Sequence, residues 1–367
     1  MLQKHCLILA AVFIMLCCSS TFAAPNSPKP QDQAAPVYVS SSWELAEISG
    51  STIYVAASMS EDVLRLVAEV FEERTNCHVI YSVLTPAQAL TYLSEPGTRC
   101  DVFLGGTTDL HETMKMEGHL LYREQTGGSD SYSWRYNDHD SFWEPVCLEM
   151  LSIGINEPLF ESVFPGEQPP TTLQNLADPR YKNKIIMTDP DTTYTGLTLA
   201  LSVLRSHGRE EGSKLLKAIG DNVGEYVVTD LAAAQKTAMG LYPITLGAFS
   251  SQHRIKSLGL PLEPTVYANA GWSIMPISIL KDTKSLTAAK AFMDFVLSHD
   301  GSELICSISH ALPAREDTVA PKNLSHRLRD YPVSDTFWSY REISQREYAM
   351  TLMQEIKEEY TVRHGSE

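Results

Sequence analysis

Along this chain two kinds of hydrophobic stretch alternate: a short unbroken apolar run, and a longer segment with apolar residues at helical spacing. Residues 52–57 (TIYVAA) form the first run and read as a buried strand. After Ser58, Met59 and Ser60, the residues Val63, Leu64, Leu66, Val67, Val70 and Phe71 line one face of a predicted helix. Ser60 followed by Glu61 and Asp62 suits a helix start, where carboxylates complement the dipole. Residues 78–83 predict a second strand, 85–93 a second helix and 101–104 a third strand, which ends at Gly105, Gly106, Thr107 and Thr108 before another helix. Strand and helix alternating through short joints predict a parallel, doubly wound α/β sheet.

Two stretches break the alternation. Residues 142–156 (FWEPVCLEMLSIGIN) are long, extended and mixed in polarity, enough to cross between two lobes, and residues 271–280 (GWSIMPISIL) read as a second crossing. Between them lies a second α/β unit over residues 176–267, with further strands at 226–229 and 242–249. Amphipathic helices follow at 287–297 and 301–308, and a charged helix at 340–363 carries Tyr348, Leu352, Ile356 and Tyr360 every fourth position. No internal repeat is visible.

The stretch 184–204 (KIIMTDPDTTYTGLTLALSVL) is the joint with the most chemistry. Ile185, Ile186 and Met187 predict a buried strand, Asp189 to Thr193 a polar loop, and the residues after Gly196 a buried helix. A strand, loop and helix start of this kind sets unpaired N–H groups and a positive dipole end at the carboxyl edge of a sheet, where ligands bind. Thr192, Thr193 and Thr195 would equally serve as helix caps, and capping is the expected role of Asp189.

Hydrophobic content of 43% with 20% charged residues fits a globular protein, and 367 residues suffice for two domains. Residues 1–23 are set apart: Lys4 and His5 begin them, an apolar run from Cys6 to Cys18 follows, and small residues lead to Ala23. This is the pattern of a secretory signal peptide cleaved after Ala23. A lipid anchor at Cys17 or Cys18 is the alternative, opposed by bulky Leu16. Residues 24–50 read as a disordered lead. The expected division is 51–145 with 273–330 as the first lobe, 146–272 as the second, and 331–367 as a C-terminal helix near the hinge or the second lobe.

Without the signal, 28 Lys and Arg face 45 Asp and Glu, a net charge of −17 that argues against nucleic acid as a partner but leaves room for a small anion held by N–H donors. Four cysteines remain: Cys77, Cys100, Cys147 and Cys306. They allow three pairings, and Cys77 with Cys100, each just before a predicted strand, is the first to expect. Cys147 and Cys306 sit among apolar residues and read as buried thiols. His111-Glu112 opens a zinc-helix pattern that Lys115 ends, and no nucleophile elbow, P-loop or dinucleotide fingerprint occurs. No catalytic residue, metal ligand or cofactor is therefore assigned.

Several segments together resemble one family. Residues 176–185 (LADPRYKNKI), Asp189-Pro190 and Thr195-Gly196 are similar to the core of bacterial extracellular solute-binding proteins of the ferric-iron-binding type. Residues 238–247 (AMGLYPITLG), 259–262 (GLPL), 288–297 and 311–315 (ALPAR) resemble later landmarks of that family. The resemblance implies a type II periplasmic-binding-protein fold, two doubly wound sheets joined by crossing strands. It further implies a periplasmic monomer that closes on a small-molecule ligand and hands it to the permease of an ABC transporter in the inner membrane.

Iron binders of this group carry two adjacent tyrosines where this chain has Gly247, Ala248, Phe249, Ser250 and Ser251, and often a histidine where it has Ser58-Met59-Ser60. The resemblance therefore points to an organic anion: phosphorylated, phosphonate or carboxylate. The site it implies takes Ser58, Met59, Ser60, Gly105, Gly106 and Thr107 from the first unit. From the second it takes Asp191, Thr192, Thr193, Tyr194, Thr195, Gly196, Gly247 and Ala248, with Trp143 and Trp272 walling the cleft from the crossings. Ferric iron as ligand, and service to a membrane sensor, are the alternatives.

Overall fold

The computed structural model describes residues 45–123, 132, 136–190, 192–334 and 343–365. The signal and nearly all of the lead lie outside the described residues, as does Asp191. In chain order the elements begin with α1 (Leu45–Ile48), β1 (Thr52–Ser58), α2 (Glu61–Thr75), β2 (His78–Val83), α3 (Pro86–Ser94), β3 (Val102–Gly105) and α4 (Thr108–Met116). The long strand β4 (Trp143–Ile155) follows, then α5 (Glu157–Val163), α6 (Leu173–Leu176), β5 (Ile185–Thr188) and α7 (Thr195–Asp221), which breaks at Gly208. Next come β6 (Val223–Val227), α8 (Asp230–Ala238), β7 (Ile244–Ala248), α9 (Phe249–Ser257), β8 (Glu263–Thr265) and β9 (Trp272–Ile279). The chain closes with α10 (Leu286–Leu297), α11 (His299–Ser309), β10 (Leu312–Pro313) and α12 (Ile343–His364).

The strands lie in the order β2-β1-β3-β9-β4-β7-β5-β6. β1 is parallel to β2 and β3, as the alternating pattern predicts, and β9 runs antiparallel between β3 and β4. The ladder changes sheet inside β4: residues up to Met150 pair with β9, and Leu151 to Ile155 pair with β7 and β8. β5 is parallel to β6 and β7 in the second sheet. One strand thus belongs to both sheets.

Apolar side chains of β1, β3, β4 and β9 are covered by α2, α10 and α11 on one face, and by α3 and α4 on the other. A separate core joins β4, β5 and β7 to α7 and α12. The four-residue spacing in α12 is its buried stripe: Leu352, Met353 and Ile356 are all under 5% exposed against α7, each contributing about 1.5–3 kcal/mol of burial.

The cysteine expectation fails for a geometric reason. Cys77 and Cys100 precede β2 and β3, but these are the two neighbours of β1. Two strand spacings, about 9–10 Å, lie between them, beyond the ~7 Å reach of a disulfide between α-carbons. Cys77 packs on the α2 side of the sheet and Cys100 on the α3 side. All four cysteines are free and buried.

Candidate functional site

Two pairs of strands run towards the change of sheet in β4 from opposite sides. β1 and β3, parallel to each other, turn there into α2 and α4. β5 and β7, parallel to each other but antiparallel to the first pair, turn into α7 (through residues 189–194) and α9. None of these four helices is capped by the side chain of its own N-cap residue, Ser60, Thr107, Tyr194 or Ala248, although in α9 the Ser250 amide is taken by Glu149 from β4. Helix dipole ends of the two sheets therefore face one another where β4 changes sheet, with first-turn amides of α2, α4 and α7 among them.

In the first sheet the turn after β3 is made by Gly105 (φ +90) and Gly106 (φ +74), both left-handed. A Cβ on Gly105 would lie 2.6 Å from the Ser58 carbonyl, so only glycine lets the two strand ends approach. The Gly106 amide donates to that same carbonyl at 2.8 Å. His111, fully buried on α4, fixes the turn from behind. Its Nε2 lies 2.9 Å from the Gly105 carbonyl and its Nδ1 2.9 Å from the Ser278 hydroxyl. Since a carbonyl only accepts, Nε2 carries the proton and Nδ1 accepts from Ser278. Burial lowers this imidazole to about 4 and keeps it neutral. The residue that begins the failed zinc pattern is thus a brace for the glycine turn.

Tyr194 connects the two walls. It stands at the start of α7 in the second sheet, yet its ring packs in the first-sheet cluster around Phe103 and Leu110. Its hydroxyl would sit 2.9 Å from a Cβ on Gly106. Burial pushes the phenol well above its usual value, and the nearby Asp109 carboxylate adds to the shift. Beside it, Thr193 Oγ1 is buried with no hydrogen-bond partner. Through Tyr194 the loop 192–196 therefore meets Gly106 of the first sheet, while Thr192, Thr193 and Thr195 are half-buried.

The second wall is organised by Asp230, at the first position of α8. Its carboxylate accepts from the Thr188 hydroxyl at 2.7 Å, the Thr195 hydroxyl at 2.7 Å and the Ala248 amide at 3.1 Å. The ends of β5 and β7 and the start of α7 are tied to one side chain. Gly247 passes so close that a Cβ there would be 2.8 Å from Asp230 Oδ1, and a Cβ on Gly196 would meet Pro190 at 2.7 Å. Glu149, one residue before the sheets change on β4, accepts from the Met150 amide at 2.9 Å, the Ser250 amide at 3.1 Å and the Ser250 hydroxyl. Burial raises its carboxyl to about 7, and the Asp230 charge pushes the same way.

The remaining expected residues separate. Thr192 turns its hydroxyl to the carbonyls of Asp189 and Val228. Asp189 accepts the Thr192 amide through its carbonyl, while its carboxylate pairs with Lys357 at 2.8 Å. Ser60 donates to Asp62 at 2.6 Å, Met59 packs on the first core, and the Thr107 hydroxyl bonds Asp109. Trp143 is 4% exposed in the first core, its indole N–H donating to Glu112 at 2.8 Å. Trp272 donates to the Ser334 carbonyl at 3.0 Å. Asp230, Glu149 and His111 escape a reading of local pattern. A lone carboxylate inside the apolar run VCLEML and the Thr229-Asp230 helix start are the signals that mark two of them. Among the described residues, no group of three or more His, Cys, Asp or Glu side chains is placed to share a metal ion.

Comparison with known proteins agrees with this architecture. The periplasmic binding protein AfuA of Actinobacillus pleuropneumoniae, solved with fructose 6-phosphate, superposes with a TM-score of 0.77 at 22% identity, covering 84% of this chain and 99% of that one. Iron-bound HitA of Pseudomonas aeruginosa gives 0.73 at 17% identity, covering 83% and 99%. These likenesses establish the type II periplasmic-binding-protein fold. An uncharacterised protein of Haemophilus influenzae is 25% identical over 230 residues, which span 61% of this chain and 66% of that protein. A family model described as bacterial extracellular solute-binding protein matches residues 101–340. The chain belongs to the family of bacterial extracellular solute-binding proteins.

Proposed function

We propose that this protein is the periplasmic solute-binding component of an ABC importer, closing as a monomer on a small anionic metabolite and delivering it unchanged to the membrane permease. The ligand is phosphorylated, a phosphonate or a carboxylate. Its lobes divide inside β4, between Met150 and Leu151, and in residues 266–271 between β8 and β9; the expected second crossing at 271–280 is β9 and lies in the first sheet. Hinge closure of two such lobes is a known mode of ligand capture. The observation that carries the reading is the meeting of uncapped helix starts from both sheets at Gly106 and Tyr194. Amide hydrogens at positive dipole ends hold an anion without a basic side chain, which suits a chain of net charge −16. The fructose 6-phosphate in AfuA is an anion of this class.

Ferric iron, the ligand in HitA, is a poorer match here. The start of α9 is Phe249-Ser250-Ser251 with no phenol, and the carboxylates of Asp230 and Glu149 are each engaged by three protein donors. A thermal-shift panel tests the choice with fructose 6-phosphate, an alkyl phosphonate, citrate and a ferric salt. Stabilisation by an organic anion is expected. A response to ferric salt alone would overturn the assignment.

A further inference from the structure

The helix α12 lies beyond the stretch matched by the family model, which ends at residue 340. It is nonetheless built into the site. Its apolar stripe packs on α7, and Met353 Cε reaches within 3.7 Å of a Cβ placed on Gly196, over the loop that forms the second wall. Lys357 pairs with Asp189 in the same loop. One turn before that stripe, Arg346 leaves the second wall. Its Nε donates to Asp109 Oδ2 at 2.9 Å, with both side chains under 20% exposed. Asp109 belongs to the first turn of α4 on the opposite wall and also accepts the Thr107 hydroxyl.

Four further ion pairs of α12 stay on its own side: Lys357 with Asp189, Arg363 with Asp221, and Glu355 and Glu359 with Lys217. Arg346 alone among these crosses the crevice, next to Tyr194, where the walls already touch. A guanidinium and a carboxylate drawn largely out of water attract more strongly than an exposed pair, and separating them exposes both charges again.

We propose that α12 is a strap over the mouth of the crevice and that Arg346 is a positioning residue. By engaging Asp109 it favours the closed arrangement and holds the Thr107 turn in place against the ligand. This rests on the reading of the protein as a two-walled receptor, but not on the identity of what it binds. The pair is made only when the walls are together, so it acts on the closed-to-open ratio and hence on ligand release.

The test is a distance measurement between spin labels on exposed positions of the two walls, E69C and E157C, in otherwise intact ligand-free protein; the native thiols are buried. R346Q is expected to lower the closed-to-open ratio about tenfold, in the middle of the range for coupled pairs. R346K should recover most of it, and the exchanged pair D109R with R346D should lie nearer wild type than either single change. R363Q breaks an α12 ion pair at the far end of the helix, with Asp221, and should leave the distances as they are. Wild-type distances in R346Q, or an exchanged pair no better than its parents, would overturn the strap. Adding fructose 6-phosphate separates the two readings. No response to it, to an alkyl phosphonate or to citrate, in a protein whose distances still depend on Arg346, defeats the anion assignment and keeps the strap. A full response with no dependence on Arg346 does the opposite.

Discussion

Asp230 holds together three chain segments that sequence keeps far apart, so its replacement should be felt in stability as well as in binding. Asp230→Ala removes three hydrogen bonds to a charged acceptor and leaves the Thr188 hydroxyl, 2% exposed, and the Ala248 amide without partners. Bonds to charged groups contribute about 1.5–3 kcal/mol each, and a stranded buried donor costs about 1–3 kcal/mol, with overlap between the two counts. A loss of about 3–5 kcal/mol follows. Asp230→Asn behaves differently. Its amide oxygen can accept from Thr188 and Ala248, and its NH₂ can donate to Thr195, whose hydroxyl also accepts. The asparagine variant should stay within about 1 kcal/mol of wild type. Urea unfolding followed by tryptophan fluorescence reads the difference, a midpoint lower by about 1–1.7 M for alanine at a slope of about 3 kcal/mol/M. Asp230→Asn should also lower the Glu149 pKa by removing a neighbouring charge. Equal midpoints for alanine and asparagine would refute the claim that Asp230 ties the second wall by hydrogen bonds.

Three further outcomes follow from the interior. His253 and His310 meet with Nδ1 atoms 2.9 Å apart between α9 and the end of α11, near Arg254, Lys256 and Glu263. Burial lowers both imidazoles, His310 to about 4, with the neighbouring positive groups adding to it. Their neutral forms therefore stabilise the fold above about pH 6.5, and that stability is lost as pH falls towards 4; H310Q should flatten this limb of a pH-dependent unfolding curve. Glu149 runs the other way. Its folded value is raised to about 7, so its contribution is fully present below pH 4.5 and is lost as pH rises through 7, and E149Q should be the more stable protein at pH 8 by a few kcal/mol. Burial pushes Cys77 above its usual value, Cys100 and Cys306 up to about 12, and Cys147 well above its usual value. Iodoacetamide should label none of the four in the folded protein and all four in denaturant, with mass spectrometry counting the adducts.

Most of the fold was legible because burial writes itself into local periodicity. The apolar runs at 52–57, 78–83 and 101–104 are strands within a residue of expectation, and the fourfold stripe in 340–363 is the face that α12 buries on α7. The glycine pair at 105–106 and the threonine-rich joint before α7 were visible for the same reason, since turn chemistry is local. Contacts between distant positions were not. Asp230 answers to Thr188 and Thr195, about 40 residues upstream, and Arg346 answers to Asp109 across 237 positions. No spacing rule encodes such pairs. The cysteine pairing failed on topology: the first two strands in sequence are adjacent, but the third inserts on the far side of the first. Trp143 shows the limit of reading a crossing strand as a wall, since the first residues of β4 run through the core before the strand reaches the crevice.

The sharing of β4 between two sheets has a consequence for the order of assembly. All strands of the second sheet come from one contiguous piece, residues 151–265, so it can gather its partners as soon as that piece exists. The first sheet cannot. The open side of β3 waits for β9, made more than 160 residues later, which must slot between β3 and β4 to join them. Until then β3 presents an unpaired, wholly apolar edge, the kind that recruits strands from other molecules. Nascent chains stalled before residue 272 should therefore be the aggregation-prone species, and a chaperone that shields this edge would raise yield more than any change that tightens the finished protein.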